Sequence, residues 1–213
     1  MSRTAAPKAN PEALPREGTP ANGTPAVVPH SERLLVVVGP SGAGKDTVMA
    51  AWRRRATELG KSLHIAQRAI TRPALAGGEA HEALSDAHWQ AACDGGAFVM
   101  HWRANGLAYG VRMRELQALT TGTVLLNGSR AALPAIRASA PRCRVLQITA
   151  SAAVLAERLR ARGREDAQAI EHRLARTALV SADFTLSNDG SVVESVAALM
   201  RWWDAPRSSQ GRA

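Results

Sequence analysis

Residues 39–47 read Gly39-Pro40-Ser41-Gly42-Ala43-Gly44-Lys45-Asp46-Thr47 and follow directly on Arg33 to Val38 (RLLVVV). That short β-branched run has the character of a buried parallel strand, and the residues from Asp46 to Glu58 read as the helix after it. A G-x-x-x-x-G-K segment set between a strand and a helix is a phosphate-binding loop. Its glycines let backbone N–H groups close around phosphate oxygens, the helix N-terminus adds positive potential, and Lys45 reaches toward the β and γ phosphates. The nine residues are therefore the expected ATP-binding segment. Lysine usage supports this: of 27 Lys and Arg, only Lys8, Lys45 and Lys61 are lysine. In a chain so biased to arginine, a compact ammonium in this slot suggests that the slot requires one.

The rest of the chain alternates strand and helix. A strand is expected over 62–69, a helix capped by Ser85 running to about Asp94, and a strand from Phe98 to Trp102 with a turn at Ala104-Asn105-Gly106. Strands over 123–126 and 145–149 flank a helix over about 131–138. Ser151 caps a helix with Leu155 and Leu159 on one face; a further helix carries Ile170, Leu174 and Ala178, and the last runs from Ser191 to Trp203. This order predicts an α/β fold with a mostly parallel sheet covered by helices on both faces. Six prolines in residues 1–30 predict a disordered tail there, 31–205 forms the folded domain, and 206–213 reads as a second tail.

At 213 residues and 46% hydrophobic, the chain suits one domain with small insertions. No apolar run approaches the roughly 20 residues that span a bilayer, and the first 30 lack the apolar centre of a secretory signal, so a cytoplasmic protein with no membrane partner is expected. Cys93 and Cys143 stand alone, without metal-ligand spacing. The formal charge of +9 points to an anionic partner. Five Trp, two Phe and one Tyr are scattered rather than interleaved with basic residues, which argues for a small phosphorylated molecule and against nucleic acid.

Position 46 departs from the phosphate-loop pattern, which places Ser or Thr after the lysine to meet Mg²⁺. Two readings stay open for Asp46. Its carboxylate lies close to Mg²⁺, with Thr47 as the alternative ligand, or it is simply an acid favoured by the helix dipole.

The motifs together resemble the guanylate kinase-like branch of P-loop NTPase-fold kinases over about residues 33–204. GPSGAGK (39–45), Thr71-Arg72-Pro73 with Gly78-Glu79, Tyr109-Gly110, Arg162-Gly163-Arg164 ahead of Arg173, and Asn188-Asp189 occur in the order of that group. The resemblance implies its architecture: an acceptor-binding insertion and a lid. Features of guanine recognition are missing, since Leu75 stands where a second acceptor arginine is expected and the strand at 124–127 reads Val-Leu-Leu-Asn without acids. GPSGAGKD, ITRP with GGEAHEALS, HWRANGLAYG, LNGSR, RGRE and SNDGS are instead similar to the ribose 1,5-bisphosphate phosphokinase family, which makes 5-phosphoribosyl 1-diphosphate in phosphonate catabolism.

That resemblance implies ATP and Mg²⁺ as co-substrate and cofactor and a sugar phosphate as acceptor. A bisphosphate offers two dianions and no ring edge, so cations should line its site. Arg68, Arg72, His81, His101, Arg103 and Arg130 are the candidate donors; Glu79, Tyr109 and Asn127 complete the expected acceptor site. Lys45, Arg72 and the lid arginines Arg162, Arg164 and Arg173 are the expected catalytic cations, the lid excluding water as it closes. Guanylate kinase activity and a silent guanylate kinase-like binding module are the alternatives.

Overall fold

The computed structural model describes residues 27–74, 79–162 and 180–205. Nine strands are described, falling into two sheets. Strands β1 (Leu34–Val38), β2 (Leu63–Ile65), β7 (Thr123–Asn127), β8 (Arg144–Thr149) and β9 (Phe184–Ser187) form the larger sheet, in the order β2-β7-β1-β8-β9 with every pair parallel. Strands β3 (Ala69–Ile70), β4 (Glu82–Ala83), β5 (Met100–Ala104) and β6 (Leu107–Val111) form a smaller mixed sheet, ordered β4-β3-β6-β5. This second sheet is the insertion, and it leaves the larger sheet wholly parallel.

All five residues of β1 are buried, and period-two alternation sends them to opposite faces. Leu35 and Val37 pack with Val48, Met49 and Trp52 of α1 (Lys45–Glu58) and with Val196 and Leu199 of the C-terminal helix. Leu34, Val36 and Val38 pack on the other side with Leu116, Leu119, Leu133, Ile136, Met100 and Trp102. Each of these side chains contributes about 1.5–3 kcal/mol by leaving water. The phosphate loop thus hangs from a strand anchored on both faces.

The remaining α-helices among the described residues are α2 (Asp86–Asp94), α3 (Leu133–Ser139), α4 (Ala152–Arg162) and α5 (Val192–Asp204). Ser85 caps α2 by accepting from the His88 N–H, and Ser191 with Glu194 forms a capping box at α5. The β5–β6 hairpin turns on Asn105 (φ 53°) and Gly106 (φ 74°), two left-handed residues that suit the twist of a two-residue loop. Among the described residues no helix is long and apolar enough to cross a membrane.

Several elements differ from the sequence expectation, with β4, β6 and a 3-10 helix at Met113–Thr120 among the additions. The strand expected over 62–69 is two strands in different sheets: after the Ala66 N–H bonds the Leu125 carbonyl, the Gln67 N–H turns to Glu115 Oε2 at 2.9 Å and the chain crosses over. The helix expected over 131–138 begins as a 3-10 turn at Arg130–Ala132, where Ser129 accepts from the Ala132 N–H, and becomes α only from Leu133. Strand β9 is an addition to the expected set, although Phe184 and Leu186 alternate with Thr185 and Ser187 as an edge strand does. Residues 27–30, placed in the tail by composition, join the fold: Val28 is buried and its N–H bonds the Ser139 carbonyl at 2.7 Å. Residues 1–26, 206–213 and the expected helix around Ile170, Leu174 and Ala178 lie outside the described residues.

Candidate active site

The loop from Gly39 to Gly44 joins the carboxyl end of β1 to the N-terminus of α1. Gly39 takes φ 148°, and a Cβ there would overlap the Ile148 carbonyl oxygen of β8. Gly42 (φ 88°) and Gly44 (φ 82°) also take left-handed backbone, so the chain bends back on itself before the helix starts. Pro40 accepts from the Ala43 N–H at 3.3 Å inside the bend. Lys45 donates from Nζ to the Gly39 and Pro40 carbonyls, both at 3.0 Å, which holds its ammonium against the loop. Asp46 and Thr47, in the first turn of α1, are exposed. Backbone donors, a helix N-terminus and an ammonium that can exchange carbonyl partners for phosphate oxygens are the donor set that a nucleotide triphosphate needs.

The back of the loop is fastened by residues outside the expected site. Asn188, just after β9 and 2% exposed, donates from Nδ2 to the Ala43 carbonyl at 2.9 Å. Its own N–H donates to Thr149, its Oδ1 accepts from Ser195 Oγ, and its carbonyl accepts from Arg158 Nη2 at 2.9 Å. Arg158 Nη1 also lies 3.5 Å from the Gly42 carbonyl. The sequence signal for Arg158 is its place on α4, one helical turn before Arg162.

On the acceptor side a chain of polar contacts begins at the phosphate loop. Asn127, 6% exposed at the carboxyl end of β7, donates from one amide nitrogen to Asp46 Oδ1 at 2.7 Å and to Glu79 Oε2 at 3.1 Å. The other oxygen of Glu79 pairs with Arg68 Nη2. Arg68 lies over the Tyr109 ring, 4.8 Å from its centroid, and Tyr109 stacks on its cross-strand partner Trp102. Burial pushes the Arg68 pKa down to about 10, with Tyr109 and Asp46 opposing the shift, so it remains a cation at neutral pH.

Arg72 forms a second cationic group. Its Nη2 lies 3.3 Å from His81 Nδ1, and the imidazole also lies 3.0 Å from the Glu79 carbonyl through Nδ1 and from the Arg72 carbonyl through Nε2. The imidazole thereby pins the start of the β3–β4 connection to its end. Arg72 Nε is buried without a hydrogen-bond partner, as is Arg68 Nε.

His101 and Arg103 do not join this group. In β5 the residues Met100, Trp102 and Ala104 face the core, so alternation turns His101 and Arg103 to the opposite face, toward α2. His101 packs edge-on against Trp89 and Arg103 lies over the same ring. Burial lowers the His101 pKa, which further weakens it as an anion donor. Arg130, in the turn after β7, accepts the Leu133 N–H at its carbonyl, and its side chain makes no hydrogen bond or ion pair among the described residues. Arg162 ends α4, and Arg164 and Arg173 lie outside the described residues.

No protein-family model matches the chain. Curated relatives do. The chain is 46% identical over 173 residues to ribose 1,5-bisphosphate phosphokinase PhnN of Chromobacterium violaceum, an alignment that covers 79% of the chain and 92% of that protein. It is 45% identical over 184 residues to the protein of the same name from Laribacter hongkongensis, covering 84% of the chain. It is 50% identical over 144 residues to the bifunctional ribose 1,5-bisphosphokinase-thymidine phosphorylase of Azorhizobium caulinodans, covering 67% of the chain. The chain spans 44% of the length of the Laribacter protein and 21% of the Azorhizobium protein. Among solved structures, guanylate kinase from Anaplasma phagocytophilum superposes with a TM-score of 0.58 at 15% identity, over 86% of this chain and 89% of that one. At that identity the likeness concerns the fold alone, which is the α/β fold of P-loop kinases.

Proposed function

The chain belongs to the ribose 1,5-bisphosphate phosphokinase family, and on that premise we propose that it transfers the terminal phosphoryl group of ATP to the 1-phosphate of ribose 1,5-bisphosphate. The product is 5-phospho-α-D-ribose 1-diphosphate, and the reaction belongs to phosphonate catabolism in the cytoplasm. One observation carries the reading: Asn127 bridges Asp46 of the phosphate-loop helix to Glu79 of the insertion, so the cations Arg68 and Arg72 stand just across from the loop.

An oxygen of the acceptor 1-phosphate is already anionic and forms the new bond to the γ-phosphorus without a general base, while the bond from that phosphorus to the β–γ bridging oxygen breaks and ADP departs. The protein's work is therefore positioning and charge neutralisation. Lys45 leaves the Gly39 and Pro40 carbonyls for the β and γ oxygens. Arg72, steadied by His81, and Arg68 and Arg130 attract the acceptor phosphates. Arg158, one turn before Arg162, approaches the loop from the other side. Arg162, Arg164 and Arg173 are assigned by sequence position to closing the site against water. Asp46 and Thr47 would hold Mg²⁺, which when bound neutralises charge on the transferring group.

The test of the reaction is product identity. With MgATP and either ribose 1,5-bisphosphate or GMP, the sugar bisphosphate is expected to gain one phosphoryl mass. GDP instead would restore the guanylate kinase reading, which otherwise rests on fold alone, and no product with either acceptor would favour a binding module. The metal role has its own test. Asp46→Ala is expected to raise the Mg²⁺ concentration for half-maximal turnover about 10–100-fold. An unchanged requirement would leave Asp46 only its place in the first turn of α1.

A further inference from the structure

Glu79 places a carboxylate beside a site meant for two phosphate dianions. A bare carboxylate about 4 Å from a phosphate charge is repelled by about 4 kcal/mol at an effective dielectric constant of 20. Arg68 cancels that charge: it pairs with one Glu79 oxygen, is itself 8% exposed, and stays cationic at neutral pH. Asn127 holds the other oxygen and so fixes the plane of the carboxylate. The glutamate side chain remains 17% exposed. An ionised carboxylate offers about four acceptor sites. Arg68 and Asn127 take one on each oxygen, which leaves one free acceptor site on each, with the charge of the carboxylate offset by Arg68.

Ribose 1,5-bisphosphate presents two kinds of polar group. Its phosphates need donors, which Arg72 and Arg130 can supply. Its neighbouring 2- and 3-hydroxyls need acceptors, which those cations lack. Resting on the ribose 1,5-bisphosphate reading, we propose that Glu79 is the specificity-determining residue for the sugar, its two oxygens accepting hydrogen bonds from the 2,3-diol. The Arg68–Glu79–Asn127 arrangement then does what a lone acid could not: it places a rigid pair of acceptors next to dianions without repelling them. A substrate lacking the 2-hydroxyl leaves one of these acceptors unpaired in the closed cleft.

The experiment compares kcat/KM for ribose 1,5-bisphosphate and 2-deoxyribose 1,5-bisphosphate. The unaltered protein is expected to prefer the ribose compound about 10–150-fold, the range for one hydrogen bond to a charged group. In Glu79→Met the preference should fall below about threefold. Glu79→Asp keeps the charge opposite Arg68 but withdraws the acceptors by one methylene, and should cut the preference at least about fivefold. If the variants lose activity on both compounds alike and the preference stays, Glu79 is only the counterion of Arg68 and the proposal falls. Equal use of both compounds by the unaltered protein also overturns it, while leaving the phosphotransferase reading intact. Turnover of neither compound would remove that reading itself.

Discussion

Lys45→Ala is expected to lower kcat about 10³-fold, a loss of about 4 kcal/mol of transition-state stabilisation, measured by following ADP release at saturating MgATP and acceptor. The ammonium sits against the loop on the Gly39 and Pro40 carbonyls, partly exposed, so its removal takes away a charge without opening a core cavity. The melting temperature should therefore move by no more than about 4 °C, the equivalent of about 1 kcal/mol in a chain of this size. Lys61→Ala is the control: it breaks an exposed ion pair with Asp204, worth at most about 1 kcal/mol, and should leave turnover within about twofold. A Lys45→Ala protein with near-normal turnover would show that another cation, such as Arg158 beside the Gly42 carbonyl, carries the charge of the phosphates.

The phosphate loop is legible in the sequence because everything that makes it is consecutive: five buried strand residues, glycines at three left-handed positions, and a helix start. Legibility fails where a distant residue decides. The apolar run through Leu63, Ile65 and Ile70 gives no sign that the chain changes sheets at Gln67, because the group that turns it, Glu115, is 48 residues away. Asp46, Glu79, Arg68 and Asn127 can each be named as candidates, yet nothing in their spacing says that one amide joins two of these carboxylates across 81 and 48 residues of sequence. In β5 the alternation of Met100, Trp102 and Ala104 with His101 and Arg103 is readable, but which face meets the cleft is fixed by α2, whose Trp89 takes the His101–Arg103 face. Asn188 stands out as part of the Asn188-Asp189 motif, while its hold on the Ala43 carbonyl depends on strand β9 bringing it there.

Gly39→Ala is expected to cost more stability than alanine at Gly60 or Gly96, and the reason separates two effects that glycines usually mix. Gly60 and Gly96 also have left-handed backbone, at φ 69° and 65°, but an added Cβ would meet nothing within 4 Å. Alanine there costs only the backbone preference, about 1 kcal/mol, and should lower the melting temperature by about 2–4 °C. At Gly39 the same methyl group would also overlap the Ile148 carbonyl oxygen, and Val38 immediately before it is locked in register with Gln147. Neither backbone can retreat without parting β1 from β8 at the centre of the sheet. A cost of about 3 kcal/mol or more and a fall of about 6–12 °C follow. Thermal unfolding of the three variants decides it. Equal shifts at positions 39, 60 and 96 would mean that the loop relaxes away from β8, and that the tight approach at Gly39 is not what holds the phosphate loop in shape.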